Sequence, residues 1–162
     1  MNNSTLYVSF PAVPQIAAIN IDTLSVTAQN SLTGGPVLDL AFDSRRNRLY
    51  ALNVLAPHHH GLTIFEGSTL TRIALVAGAG DFSMQMGAVL ASTPSGNVLV
   101  SERNRLWQIA PDNFADTFAD AFAITQIYPT GSLAPAGGLQ VDKNTGAIYI
   151  LDTQAKLLRI YP

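Results

Sequence analysis

Short apolar runs separated by turn-forming residues repeat along the chain, and the last twenty-six residues, Gly137 to Pro162, show the pattern most clearly. Leu139 to Asp142 predicts a short strand. Lys143-Asn144-Thr145-Gly146 predicts a turn, because Asn and Gly tolerate positive φ. Ala147 to Leu151, rich in β-branched and aromatic residues, predicts a second strand. Asp152 to Ala155 is a second turn and Lys156 to Tyr161 a third strand. The unit reads as an antiparallel meander.

The same order recurs upstream. Leu38 to Asn53 with Leu62 to Phe65 is one copy, Ala88 to Ser101 with Arg105 to Ile109 another, and Thr5 to Phe10 with Gln15 to Asp22 a third that opens partway through. Aligning the middle strands puts Tyr7, Tyr50, Leu99 and Tyr149 in one register, at spacings of 43, 49 and 50 residues. A period of this length with about four strands per unit is the mark of a β-propeller blade. The fold expected is all-β: about three and a half four-stranded antiparallel blades in one domain over 1–162, with repeats near 5–33, 34–84, 85–134 and 135–162. With strands lettered a to d from the axis outward, the chain reads b-c-d, a-b-c-d, a-b-c-d, a-b-c.

The repeats carry a resemblance. Asp39-Leu-Ala-Phe-Asp43 with Asn47-Arg-Leu-Tyr50 resembles the YVTN-type surface-layer propellers. Gly138-Leu-Gln-Val-Asp142, Gly146-Ala-Ile-Tyr-Ile150 and Leu158-Arg-Ile-Tyr161 resemble the NHL-type repeat. Both families build propellers, and the resemblance spans nearly the whole chain. It implies a recognition platform more than an activity, since a fold does not fix a function.

Composition adds one pressure. Of 162 residues, 48% are hydrophobic and only 12% charged, against about 25% charged in a typical domain. Part of the surface is therefore expected to lie under another chain. Every blade has two apolar faces, and an arc this short leaves both end faces open to water. At roughly 25 cal/mol per Å² of apolar area, end faces of a few hundred Å² each would be strongly unfavourable and prone to aggregate. The expected remedy is a homo-oligomer, with a dimer closing one ring, or a ring shared with another protein. The expected edges are Leu6, Tyr7, Val8 and Phe10 at one end, with Ile148, Tyr149 and Ile150 at the other. The alternative is that the chain is part of a longer propeller, a reading the initial Met weighs against.

Other partner classes recede. The net charge is −2 with no cluster of Lys or Arg, so nucleic acid is not an expected partner. No run reaches the roughly 18–20 apolar residues of a membrane span. Cysteine is absent, which excludes disulfides and thiolate metal sites. The N-terminus lacks the basic and apolar regions of a signal peptide, so no localisation is assigned.

Two stretches depart from the repeat. His58-His59-His60 invites a metal, but consecutive strand residues point to opposite faces and a site needs ligands from several elements. The run reads instead as a hairpin tip able to contact a partner. In Pro111 to Phe122, Phe114, Phe118 and Phe122 recur every fourth residue beside Asp112, Asp116 and Asp120. That spacing predicts a short helix with an apolar stripe for docking and an acidic flank. The aspartates lack the Gly and Glu of an EF-hand loop, so no metal is assigned. Arg45, Arg46 and Arg48 read as solvated turn charge, and Trp107 as a buried packing residue between blades.

Catalytic chemistry is thinly represented. The resemblance to NHL-like lactonases implies carboxylates, Asn and His at the axial ends of inner strands, often around calcium. The matching entries here are Gly34-Gly35, Met86-Gly87 and Gly137-Gly138, which are not ligands. Asp39 aligns with Val89 and Gly138, so that register supplies one carboxylate. Glu66, Glu102 and Asn104 are placed near outer-strand turns. No G-x-S-x-G elbow or H-E-x-x-H motif occurs. No catalytic residue and no cofactor are assigned. A non-enzymatic interaction or structural subunit is expected, with a calcium-dependent lactonase-like hydrolase as the alternative.

Overall fold

The computed structural model describes residues 4–10, 12–56, 59–77, 88–102, 105–110, 123–128, 136–153 and 156–161. Among them the chain forms fourteen strands and no helix. The first sheet holds β1 (Thr5–Phe10), β2 (Gln15–Asn20) and β3 (Ser25–Ser31). The second holds β4 (Val37–Asp43), β5 (Arg48–Ala56), β6 (His59–Glu66) and β7 (Arg72–Ala77). The third holds β8 (Val89–Ser92), β9 (Val98–Glu102), β10 (Arg105–Ala110) and β11 (Ala123–Tyr128), and the last β12 (Ala136–Val141), β13 (Ile148–Asp152) and β14 (Leu157–Tyr161). Every sheet is an antiparallel meander in chain order. The helix expected between Asp112 and Phe122 lies outside the described residues.

The first turns of the last three sheets use one design. A side-chain oxygen at the end of the first strand accepts a backbone N–H inside the turn. Asp43 accepts from Arg45 at 2.9 Å, Thr93 from Asn97 at 3.0 Å and Asp142 from Asn144 at 2.7 Å. A residue of positive φ then turns the chain back: Asn47 (53°), Gly96 (83°) and Gly146 (79°). Asx-type capping plus a left-handed residue makes a compact reversal.

The first sheet corresponds to the outer three strands of the second. Leu24, in the turn between β2 and β3, and Leu70, in the turn between β6 and β7, share a φ of 53°. Matching these turns sets β1 against β5, so the innermost strand has no counterpart in the first sheet. β3 starts at Ser25 because Leu24 takes the left-handed turn position.

The sheets stack face to face in chain order. β8 lies between β4 and β12, and β1 lies against β4. Strand pleat then sends alternate residues of one strand to opposite neighbours. On β5, Leu49 and Ala51 pack with Ile16 and Ala18 of the first sheet, while Tyr50 and Leu52 pack with Val98 and Val100 of the third. On β9, Leu99 turns the other way and packs with Val141 and Ile150 of the last sheet. Three apolar layers therefore lie between four sheets. Trp107 is buried in the layer between the second and third, with the Arg105 guanidinium 5.8 Å from its ring.

Candidate functional site

Among the described residues, exposed large hydrophobic side chains concentrate on the first and last sheets. Of the twelve large hydrophobic residues exposed among the described residues, seven lie on strands of the first and last sheets and three in the turns of the first. On the first sheet, Leu6 pairs with Ile19 and Ile19 with Val26, giving one cross-strand row. Leu6 is 51% exposed and Val26 59%. On the last sheet, Leu151 pairs with Leu158 and Tyr149 with Ile160. Leu158 is 59% exposed and Ile160 60%.

The pleat divides the residues that sequence reasoning grouped as edges. Leu6, Val8 and Phe10 lie on the outward side of β1, and Leu6 and Phe10 are exposed. Tyr7 turns inward: its ring packs on Phe42 at 4.8 Å between centroids, and its hydroxyl donates to the Gly67 carbonyl at 3.1 Å. On β13, Ile148 and Ile150 face the third sheet, and Ile150 is fully buried. Tyr149 is on the outward side. Sequence reasoning did not single out Leu158, Ile160 or Val26. Their signal was alternation within β14 and β3, counted from the inward-facing partners.

The histidines separate as well. His58 lies outside the described residues. His59 opens β6 opposite Ala56, and His60 is a buried member of the same strand opposite Val54. Phe114, Phe118 and Phe122 lie outside the described residues, as does Asn104. Glu66 accepts a hydrogen bond from Asn47 at 2.6 Å and so braces a turn. Among the described residues, no group of three His, Cys, Asp or Glu side chains is placed to hold a metal ion.

Asp39, the carboxylate of the inner register, spans two sheets. Its Oδ1 accepts the Leu40 N–H at 2.8 Å and its Oδ2 the Leu90 N–H at 2.7 Å. Burial pushes its pKa above the usual carboxylate value, against the lowering effect of the two N–H donors. Both oxygens are thus occupied by backbone donors.

No family model matches the chain, and no curated protein sequence matches it. Solved structures do. A chain of hydrazine synthase from Kuenenia stuttgartiensis superposes with a TM-score of 0.72 at 10% identity, over 99% of this chain and 56% of that one. A chain of a mitotic checkpoint complex gives 0.70 at 10% identity, over 98% of this chain and 45% of that one. The dihydro-heme d1 dehydrogenase NirN gives 0.61 at 11% identity, over 98% and 34%. All three are propeller folds. The chain is an arc of β-propeller blades. At such low identity the likeness concerns fold alone, and the arc spans between a third and just over half of the propeller chains it matches.

Proposed function

We propose that the arc is a non-catalytic interaction or structural unit, completed into a ring by a second copy docked head to tail. The observation that carries this reading is the pair of free end faces. At each inner junction, the following-side face of one sheet meets the preceding-side face of the next. The arc leaves one of each kind free: Leu6, Ile19 and Val26 on the preceding side, and Tyr149, Leu151, Leu158 and Ile160 on the following side. A second copy supplies both missing neighbours through one heterologous contact used twice, as closed cyclic symmetry requires. Two arcs of four sheets make an eight-sheet ring, within the range of known propellers.

Burying the two apolar end faces removes them from water, at about 25 cal/mol per Å² of apolar area, which favours closure. Propellers that serve as interaction scaffolds are compatible with this role. Within this reading, the resemblance of Asp39 to Asp43 and Gly138 to Asp142 to YVTN-type or NHL-type repeats, whose propellers are mainly recognition platforms, supports an interaction role.

Light scattering on the purified chain tests the reading. A dimer is expected at micromolar concentration, and Leu151→Asp combined with Leu158→Asp is expected to give a folded monomer. A monodisperse monomer of the unaltered chain overturns the reading.

A further inference from the structure

A second feature sits away from the end faces, where the first turns of three successive sheets meet. A cavity of about 200 Å³ opens there, lined by Phe42, Asp43 and Arg45 of the second sheet's turn, Thr93 and Pro94 of the third's, and Lys143 of the last. Ser44 and Ser92 complete its wall.

The charges of this wall do not cancel. The buried Asp43 carboxylate is already occupied: Oδ1 accepts the Arg45 and Arg46 N–H groups at 2.9 and 3.4 Å, and Oδ2 faces the Arg46 guanidinium at 3.4 Å. That guanidinium also donates to the Ser95 carbonyl at 2.9 Å, which directs it toward the neighbouring turn. The Asp142 carboxylate, next to Lys143, accepts the Asn144 and Thr145 N–H groups. Arg45 and Lys143 remain on the rim, each with no ion-pair partner among the described residues. In a chain of net charge −2, this is a cationic site held on three rigid turns.

Its chemistry is mixed. A guanidinium presents a planar fork that matches carboxylate and phosphate oxygens, and an ammonium adds a point charge. Pro94 supplies an apolar surface, while the Phe42 ring turns to the other side of β4, where it packs on Tyr7. Ser92 is fixed by donating to the Phe42 carbonyl at 2.8 Å, which ties the two turns together.

We propose that this pocket binds a small organic anion, its carboxylate or phosphate head between Arg45 and Lys143 and its apolar body against Pro94. The site lies within one chain and does not depend on ring closure.

Titration calorimetry with three probes tests it: inorganic phosphate, phenyl phosphate and benzoate. At least one organic probe is expected to bind saturably, and at least threefold more tightly than inorganic phosphate. Whichever organic probe binds better names the head group. Arg45→Gln and Lys143→Gln are exposed substitutions, and each is expected to weaken binding about tenfold, the loss of one charge-assisted contact. Near-UV circular dichroism identifies variants that keep the fold. The proposal is overturned if no probe saturates at millimolar concentration, or if the double variant binds as the parent does. It is also overturned if inorganic phosphate binds as tightly as both organic probes, because the apolar surface would then contribute nothing.

Discussion

The Asp39 carboxylate accepts the backbone N–H of Leu90 at 2.7 Å, tying the first strand of the second sheet to the first strand of the third. A side chain here replaces the backbone ladder that cannot cross between stacked sheets. Removing it leaves the N–H of Leu90, a buried residue, without its acceptor. Asp39→Ala is expected to lower unfolding free energy by about 1–3 kcal/mol, measured by urea denaturation.

The same residue sets a pH dependence. Its folded pKa is raised, chiefly by burial, so its favourable contribution is full below the unfolded value of 3.8 and is lost as pH rises through the folded value. The parent is expected to gain stability relative to Asp39→Asn as pH falls from neutral toward 4. Paired denaturation curves at several pH values check the sign; a gap that narrows on acidification contradicts it.

Gly96 and Arg46 form a second tie between sheets. Gly96 holds a φ of 83°, and a Cβ there would collide with the Arg46 guanidinium that reaches the Ser95 carbonyl. Gly96→Ala is expected to cost about 1–2 kcal/mol from the left-handed backbone alone, and more because Arg46 is displaced. In an Arg46→Ala background the backbone part and the contact with Asp43 Oδ2, 2.9 Å from the added Cβ, should remain. A double-mutant cycle reads the difference; strict additivity would mean the two residues are uncoupled.

Tyr50 is fully buried, and its pKa is pushed up to about 12, first by burial and then by the charge of Asp43. Its contribution to stability is therefore full below the unfolded value of 10 and is lost as pH rises through about 12. Absorbance titration at alkaline pH should resolve Tyr50 as a late-ionising phase near pH 12, above that of Tyr7, which burial also raises. Tyr50→Phe should remove that phase and flatten the fall in stability over the same window.

Head-to-tail docking makes a prediction about mixtures. Leu6→Glu and Leu158→Lys, each alone, are expected to leave monomers, because each spoils both junctions of a two-copy ring. Mixed together, the two variants set the charged faces against one another at one junction and the unaltered faces at the other. Light scattering should then recover a dimer. Recovery in neither mixture nor parent contradicts the arrangement.

Much of the fold was legible because turn chemistry is local. Asn144 and Gly146 marked a reversal that the structure contains. Leu24 and Leu70 were not legible as left-handed residues, since nothing in a leucine announces a positive φ; the surrounding turn imposes it. The open faces were only half legible. Tyr7 and Ile150 look like edge residues in a run of apolar letters, yet each points at a neighbouring sheet, and Leu158 and Ile160 carry the surface instead. His60 was equally ambiguous: only its place on β6, paired with Val54 of β5, shows that it belongs to a buried strand.

By itself the sequence determined the strands, the repeat and the shortage of charge, because each follows from residues close together along the chain. Tertiary structure decided which side of each strand faces a neighbour, since pleat and bulges set that only once sheets stack. It also brought Arg45 and Lys143 to the lining of one cavity. They are far apart in sequence, and only the stacking of three sheets carries their turns to the same place.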